Sequence, residues 1–218
     1  DPRSYGMSDE IPDQPDGATP IEDISGLLLH ITTRRELNEV EALNLLNAME
    51  WLDRGRIKDV FTVTFYCDLH KRMLGDVWHW AGVLRTQTGN QVGEPFALAE
   101  DVGHELGRVA MEFGQEWERS GVAKADYESL LSFLVRYHHA LVLVHPFNNG
   151  NGRWSRLSVD AVVQRLLHRH SLTWATREAT LESDSEQRRD YIAALQSADR
   201  YDFRLLIEYI RELNPNVE

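Results

Sequence analysis

The sequence predicts an all-α domain carrying one small β-hairpin. Apolar residues recur at helical spacing from about Thr32 to Leu213, and a single Gly89-Asn90 turn signal stands among strand-tolerant residues. No internal repeat divides the chain. The 218 residues suffice for one large domain, and 42% hydrophobic with 27% charged content is ordinary for a globular protein.

The elements follow in chain order. Residues 1–20 hold four of the seven prolines, many acids and few large apolar groups, which reads as an extended or disordered lead. Asp1 to Gly6, ahead of Met7, read as a cloning remnant, and residues 21–218 as the folded domain. Ala42, Leu45, Leu46, Met49 and Leu52 then fall on one face of a helix, which Thr33 and Glu36 open as a capping box. A second helix is expected from Val63 to Leu74, with Gly75 as its stop. The stretch VLRTQTGNQVGEPFAL, residues 83–98, carries the hairpin. Helices resume over Asp101–Ser120 and Asp126–Val144; Leu130, Phe133, Leu134, Tyr137 and Leu141 make the latter a buried one. Val159, Val162, Val163 and Leu166 mark the next, and two more are expected near Ser185–Ala198 and Asp202–Leu213.

Composition narrows the function. No apolar run approaches the ~20 residues of a membrane span, and no secretory signal pattern opens the chain, so a cytoplasmic protein without membrane partners is expected. Cys67 is the only cysteine and sits among Phe65, Tyr66 and Leu69, as a small core residue would. Lys plus Arg total 23 against 35 acids, a net charge of −12 that disfavours direct nucleic-acid binding. Phosphate-binding arginines in such a chain belong to a focused site, suited to a small nucleotide.

One stretch has that character: LVHPFNNGNGRWSR, residues 143–156. Pro146 stops the preceding helix, and Gly150-Asn151-Gly152 tolerate positive φ before a new one begins. The backbone N–H groups opening that helix form an anion site, and Arg153 and Arg156 stand at i, i+3 in its first turn. Two cations at a helix N-terminus oppose its dipole and call for a compensating anion. His145, across the loop, is placed to take a proton from an attacking hydroxyl, a role worth roughly 10²–10⁴ in rate. Each residue alone has an ordinary structural explanation; the joint spacing is what points to phosphate chemistry.

The string His145, Pro146, Phe147, Asn148, Asn149, Gly150, Asn151, Gly152, Arg153, Trp154, Ser155, Arg156 resembles the signature of the Fic family. The segments LHKRMLGDVWHWAGVLRT, residues 69–86, and YIAALQSADRYDFRLLIEYI, residues 191–210, are similar to the family's stretch before its flap hairpin and to its closing helices. HITTRRELNEVEALN together with HPFNNGNGR is also similar to the subgroup called mobile mystery protein B, which is associated with a small helix-turn-helix partner. The resemblance implies transfer of a nucleoside monophosphate, usually AMP from ATP, to a Ser, Thr or Tyr hydroxyl of a target protein. It makes His145 the general base and Phe147 the loop anchor. Asn148, Gly150, Asn151, Gly152, Arg153 and Arg156 become the nucleotide-binding set. Thr88, Gly89 and Asn90 become a flap that clamps the target by strand addition.

Position 149 departs from the pattern. The family usually has there a carboxylate that holds Mg²⁺, and the amide of Asn149 brings no charge to that hard cation. The change implies weaker metal binding and either slower transfer, a different substrate, or a nucleotide-binding or partner-binding module without turnover. The kinase branch of the family, Doc, puts lysine where Gly152 stands, so the glycine argues against a kinase. A metallohydrolase built on His138, His139 and His145 lacks any HExxH or cysteine pair. Many members also carry an inhibitory helix with Ser or Thr, three residues, Glu, then Gly or Asn. Thr32 and Glu36 match that pattern and Leu37 does not, so Glu36 is either an inhibitory carboxylate or half of a helix cap.

Overall fold

The computed structural model describes residues 26–29, 34–54, 57–86, 96–176 and 185–215. Seven α-helices lie within them: α1 (Arg34–Arg54), α2 (Val63–Leu74), α3 (Val102–Ser120), α4 (Tyr127–Val144), α5 (Asn151–Arg165), α6 (Glu186–Ala198) and α7 (Arg204–Leu213). A short 3₁₀ turn, Val122–Lys124, joins α3 to α4 and had no signal in the pattern of apolar residues. Local chemistry sets the ends. Thr62, Asp126 and Ser185 accept the N–H of Phe65, Ser129 and Arg188, capping α2, α4 and α6. Gly121, at φ 68°, ends α3 in the left-handed conformation that glycine takes without steric cost.

Helix α4 is the axis of the fold. It packs on α3, α5 and α7, while α1 and α2 pair with each other and both reach α5. Its buried residues run almost around the cylinder, from Leu130 and Leu131 through Phe133, Tyr137 and Leu141 to Val144. Phe133 and Tyr137 meet Phe113 and Phe61 in a cluster of edge-on and tilted rings. The phenol of Tyr137 donates to that of Tyr66 at 3.0 Å inside this core. Burial pushes both phenols above their ordinary range, so they stay neutral. The sole cysteine, Cys67, is half-buried on α2 with its thiol pushed up by burial, which suits a packing residue.

Helix α1 corrects the sequence pattern. Leu46 and Met49, expected inside, are 60% and 40% exposed, and Ala42 is exposed as well. The buried stripe is Leu37, Glu41, Asn44, Ala48 and Leu52, with Leu45 partly covered beside it, so it is rotated from the apolar face that the sequence displays and shares Leu52 with it. Two polar residues occupy that stripe because each has a partner below it: Asn44 Oδ1 accepts the Asp76 N–H, and Glu41 reaches the loop described next.

The expected hairpin turn, Thr88, Gly89 and Asn90, lies outside the described residues. Its flanks, residues 83–86 and 96–98, are irregular, and β-structure among the described residues is one isolated antiparallel bridge between Leu27 and Trp78. No helix among the described residues is long and apolar enough to cross a membrane.

Candidate active site

The loop begins where α4 ends. His145 caps that helix at φ 47°, ψ 58°, its N–H donating to the Leu141 carbonyl at 3.3 Å. A non-glycine residue in the left-handed region costs about 1–2 kcal/mol, so the surroundings must hold it there. Phe147 supplies part of that hold. Its ring is buried, stacked on His70 at 3.7 Å and edge-on to Trp154 at 5.1 Å. Asn151 supplies another part, because its Oδ1 accepts the Phe147 N–H at 2.9 Å and its Nδ2 donates to the Phe147 carbonyl at 2.7 Å. One side chain therefore pins both polar groups of a buried residue, and the loop closes on itself. Gly150, at φ 77°, completes the turn; a Cβ there would come within 2.9 Å of Leu74 Cδ1.

Two residues from outside the loop secure its back. His70 on α2 accepts the Gly82 N–H on Nδ1 at 2.9 Å, which leaves the proton on Nε2 to be donated to the Asn149 carbonyl, also at 2.9 Å. Complete burial drives its pKa down to about 3, so this peg is neutral. Arg85, 6% exposed, donates from Nε to the His145 carbonyl at 2.6 Å and from Nη2 to the Ala97 carbonyl at 2.5 Å.

The imidazole of His145 is held neutral. Burial foremost, and then the nearby Arg85 charge, bring its pKa down to about 3 against the opposing Val142 carbonyl. The Phe96 ring lies against it, with centroids 3.9 Å apart.

Across the loop, α5 opens with no acidic residue in its first turn and no side-chain cap on its N–H groups. Gly152 stands in that turn, and among the described residues a Cβ added there would meet nothing closer than Arg156 Nη1, at 3.4 Å. Packing against the described residues does not demand the glycine, although glycine in a helix costs about 0.5–1 kcal/mol relative to alanine. The Arg156 guanidinium thus borders an open, donor-rich turn suited to an anion. Arg153 is placed differently. Its Nη2 pairs with Glu41 Oε2 at 2.8 Å, and Glu41 Oε1 accepts the Trp78 indole N–H at 2.8 Å. Glu36, the carboxylate singled out from the sequence, is exposed on the first turn of α1, and its proposed capping partner Thr33 lies outside the described residues.

Asn149 turns its Oδ1 to the Gly150 N–H at 2.6 Å and its own carbonyl to His70. A neutral oxygen already engaged in a hydrogen bond is a poor ligand for Mg²⁺, and no group of three His, Cys, Asp or Glu side chains among the described residues could hold a metal. The residues present do not fit a protein-built metal centre. His138 and His139 are used in packing: Nε2 of one meets the Tyr191 hydroxyl at 2.7 Å, and Nε2 of the other meets Asp199 at 2.8 Å.

The chain thus brings His145, Phe147, Gly150, Asn151, Gly152 and Arg156 into one loop and turn, leaves Asn148 exposed beside them, and pairs Arg153, whose guanidinium also borders Gly150, with Glu41 of α1. Sequence reasoning missed Glu41, His70 and Arg85. His70 and Arg85 both lie in the stretch 69–86 quoted above, and a histidine on the apolar face of α2 was the available signal. Glu41 gave none, since one acid among several on a helix looks solvated.

Residues 60–163 match the family model of the Fic/DOC family. A protein adenylyltransferase of Bartonella henselae is 22% identical over 146 residues, covering 60% of this chain and 26% of its own length. The protein adenylyltransferase fic-1 of Caenorhabditis elegans is 27% identical over 195 residues, covering 85% of this chain and 34% of its own. The chain therefore spans about a quarter to a third of the curated relatives it matches. Among solved structures, the BepC protein of Bartonella tribocorum with bound AMPPNP superposes with a TM-score of 0.67 at 16% identity, covering 91% of this chain and 93% of that one. These likenesses show the fold, a helical Fic domain, as the sequence predicted. The loop between α4 and α5, with the His70 and Arg85 contacts behind it, falls inside the segment, residues 60–163, that matches the model of the Fic/DOC family.

Proposed function

We propose that the chain transfers AMP from ATP to a Ser, Thr or Tyr hydroxyl of another protein, with His145 as general base. The observation that carries this reading is the open first turn of α5, where Gly152 leaves room that no described residue other than Arg156 borders. A triphosphate laid on that turn meets the backbone N–H groups of a helix N-terminus and a guanidinium, while the neutral imidazole waits at the other end of the loop. In the reaction the target O–H proton passes to His145 and the hydroxyl oxygen bonds to the α-phosphorus. The bond from that phosphorus to the β-phosphate oxygen breaks, and pyrophosphate leaves. The relatives named as protein adenylyltransferases support the same class. The segment around Thr88, Gly89 and Asn90 is proposed to hold the target, and Arg153 to reach the nucleotide from its pair with Glu41.

The test is incubation with a cell lysate and ATP labelled at either the α- or the γ-phosphate, beside a His145→Ala control and parallel reactions with GTP, CTP and UTP. Label arriving from the α-position alone, and lost in the control, is expected. Label from the γ-position would mean kinase chemistry instead. A second reading, a nucleotide-binding module without turnover, is favoured by one observation: the Asn149 amide is spent on Gly150 rather than facing a metal. Calorimetric ATP binding with no labelled protein would select it.

A further inference from the structure

We propose that Arg85 is a positioning residue for His145: its buried guanidinium, bonded to the carbonyl of His145 and to Ala97, fixes the orientation of the imidazole in the loop. This inference rests on the role given to His145 above. The partners of Arg85 come from separate parts of the chain. Nε donates to His145 O at 2.6 Å, and Nη2 to Ala97 O at 2.5 Å and more weakly to Val144 O at 3.4 Å. The Arg85 backbone N–H also donates to Pro146 O at 2.9 Å, and the Ala97 N–H to Leu143 O at 3.0 Å. Residues 85 and 97 thus both strap the end of α4, one on each side of His145 in the chain's path.

The chemistry favours positioning over simple capping. The carbonyls of Val144 and His145 belong to the last turn of α4, where the helix dipole concentrates negative charge, so a cation is welcome there. A cap alone could be met by lysine at one carbonyl. The planar fork of arginine instead holds two carbonyls at a fixed angle, and the shorter bonds go to His145 and Ala97. The bond to His145 O fixes the peptide plane that leaves the base, in a backbone conformation that His145 does not favour on its own. The bond to Ala97 O fixes the residue after Phe96, whose ring lies on the imidazole. One guanidinium therefore constrains the imidazole through its own backbone and through the ring covering it.

The test uses the full chain with Arg85→Lys and Arg85→Met, read by the histidine ring resonances of His145, assigned by their loss in His145→Ala, and by kcat and KM for transfer. Arg85→Met removes the charge, so the His145 titration should move toward 6.5; Arg85→Lys keeps the charge and should leave the midpoint within about half a unit while changing the ring shifts. For Arg85→Lys a loss of about tenfold to a hundredfold in kcat, with KM for ATP within twofold, is expected from a small misplacement of the base. Should Arg85→Met fail to fold, Arg85→Lys carries the test. Unchanged ring shifts and kcat in Arg85→Lys would overturn the proposal, as would an unmoved His145 midpoint in a folded Arg85→Met. If the wild type transfers nothing, the reading of function falls, and the ring spectra alone decide the coupling between Arg85 and His145.

Discussion

Replacing Asn151 with alanine separates the loop's architecture from its chemistry. The Asn151 side chain, 3% exposed as a residue, holds the Phe147 N–H at 2.9 Å and the Phe147 carbonyl at 2.7 Å. Alanine removes both bonds and leaves a buried donor and a buried acceptor without that partner. At about 1–3 kcal/mol for each stranded group the loss is roughly 2–6 kcal/mol. Alanine returns about 0.5 kcal/mol through its better helix propensity at the start of α5. The net, about 2–5 kcal/mol, corresponds to a melting temperature lower by about 5–15 °C for a domain of this size. Thermal unfolding followed by far-ultraviolet circular dichroism measures it. Asn151→Asp sharpens the test, since a carboxylate can still accept the Phe147 N–H but sets an oxygen against the carbonyl that Nδ2 now serves. Protonation restores a donor there, so the gap between Asn151→Asp and wild type should narrow as pH falls. A melting temperature for Asn151→Ala within 1–2 °C of wild type (on the order of 0.5 kcal/mol) would refute the clip.

His145→Ala should leave folding and ATP binding largely intact while abolishing transfer, because Phe147, Asn151 and Arg85 shape the loop; transfer at the wild-type rate would remove His145 as base. Asn149→Asp should tighten Mg²⁺ binding in the presence of ATP, as calorimetry would show, by restoring an anionic oxygen; an unchanged affinity would place the metal's ligands elsewhere. Glu41→Gln should destabilise the fold by about 2–4 kcal/mol in urea unfolding, since it leaves Arg153 mostly buried without its counter-charge, and it should tighten ATP binding if Arg153 is thereby released to the phosphates. Stability should fall on acidification. His70, His138 and His145 each have a folded pKa of about 3, so the unfolded chain takes up protons below about 6.5 that the folded one refuses. Asp160, held up at about 7 by burial, works in the opposite sense, losing stability as pH rises from its unfolded value toward 7. Three groups against one give a net loss on the order of 3 kcal/mol between pH 7 and 5, and a urea midpoint that rises over this interval would contradict the assignment.

The helices were legible because most of their buried faces are apolar. Val63–Leu74 appears with the bounds expected, and α3 and α4 begin one residue later than expected. The loop was legible as well, since proline, glycines and arginines at fixed spacing leave few foldings. The side of α1 facing the core was not. Its buried stripe carries Glu41 and Asn44, whose burial depends on partners distant in sequence, Arg153, Trp78 and Asp76, and hydrophobic periodicity cannot register such partners. For the same reason the pattern that assigned both arginines to phosphate could not show that Arg153 also pairs with a helix more than a hundred residues earlier. His70 and Arg85 act through backbone carbonyls and an N–H, groups common to almost every residue, so no sequence pattern could announce their partners.

The left-handed backbone of His145 makes change at this position directional. Glycine and asparagine adopt that conformation more cheaply than histidine, so once the imidazole is no longer required, mutation toward them is downhill in folding energy. The return to histidine is uphill. A descendant that had kept the nucleotide-binding turn but lost the need to move a proton would therefore be expected to drift away from histidine here.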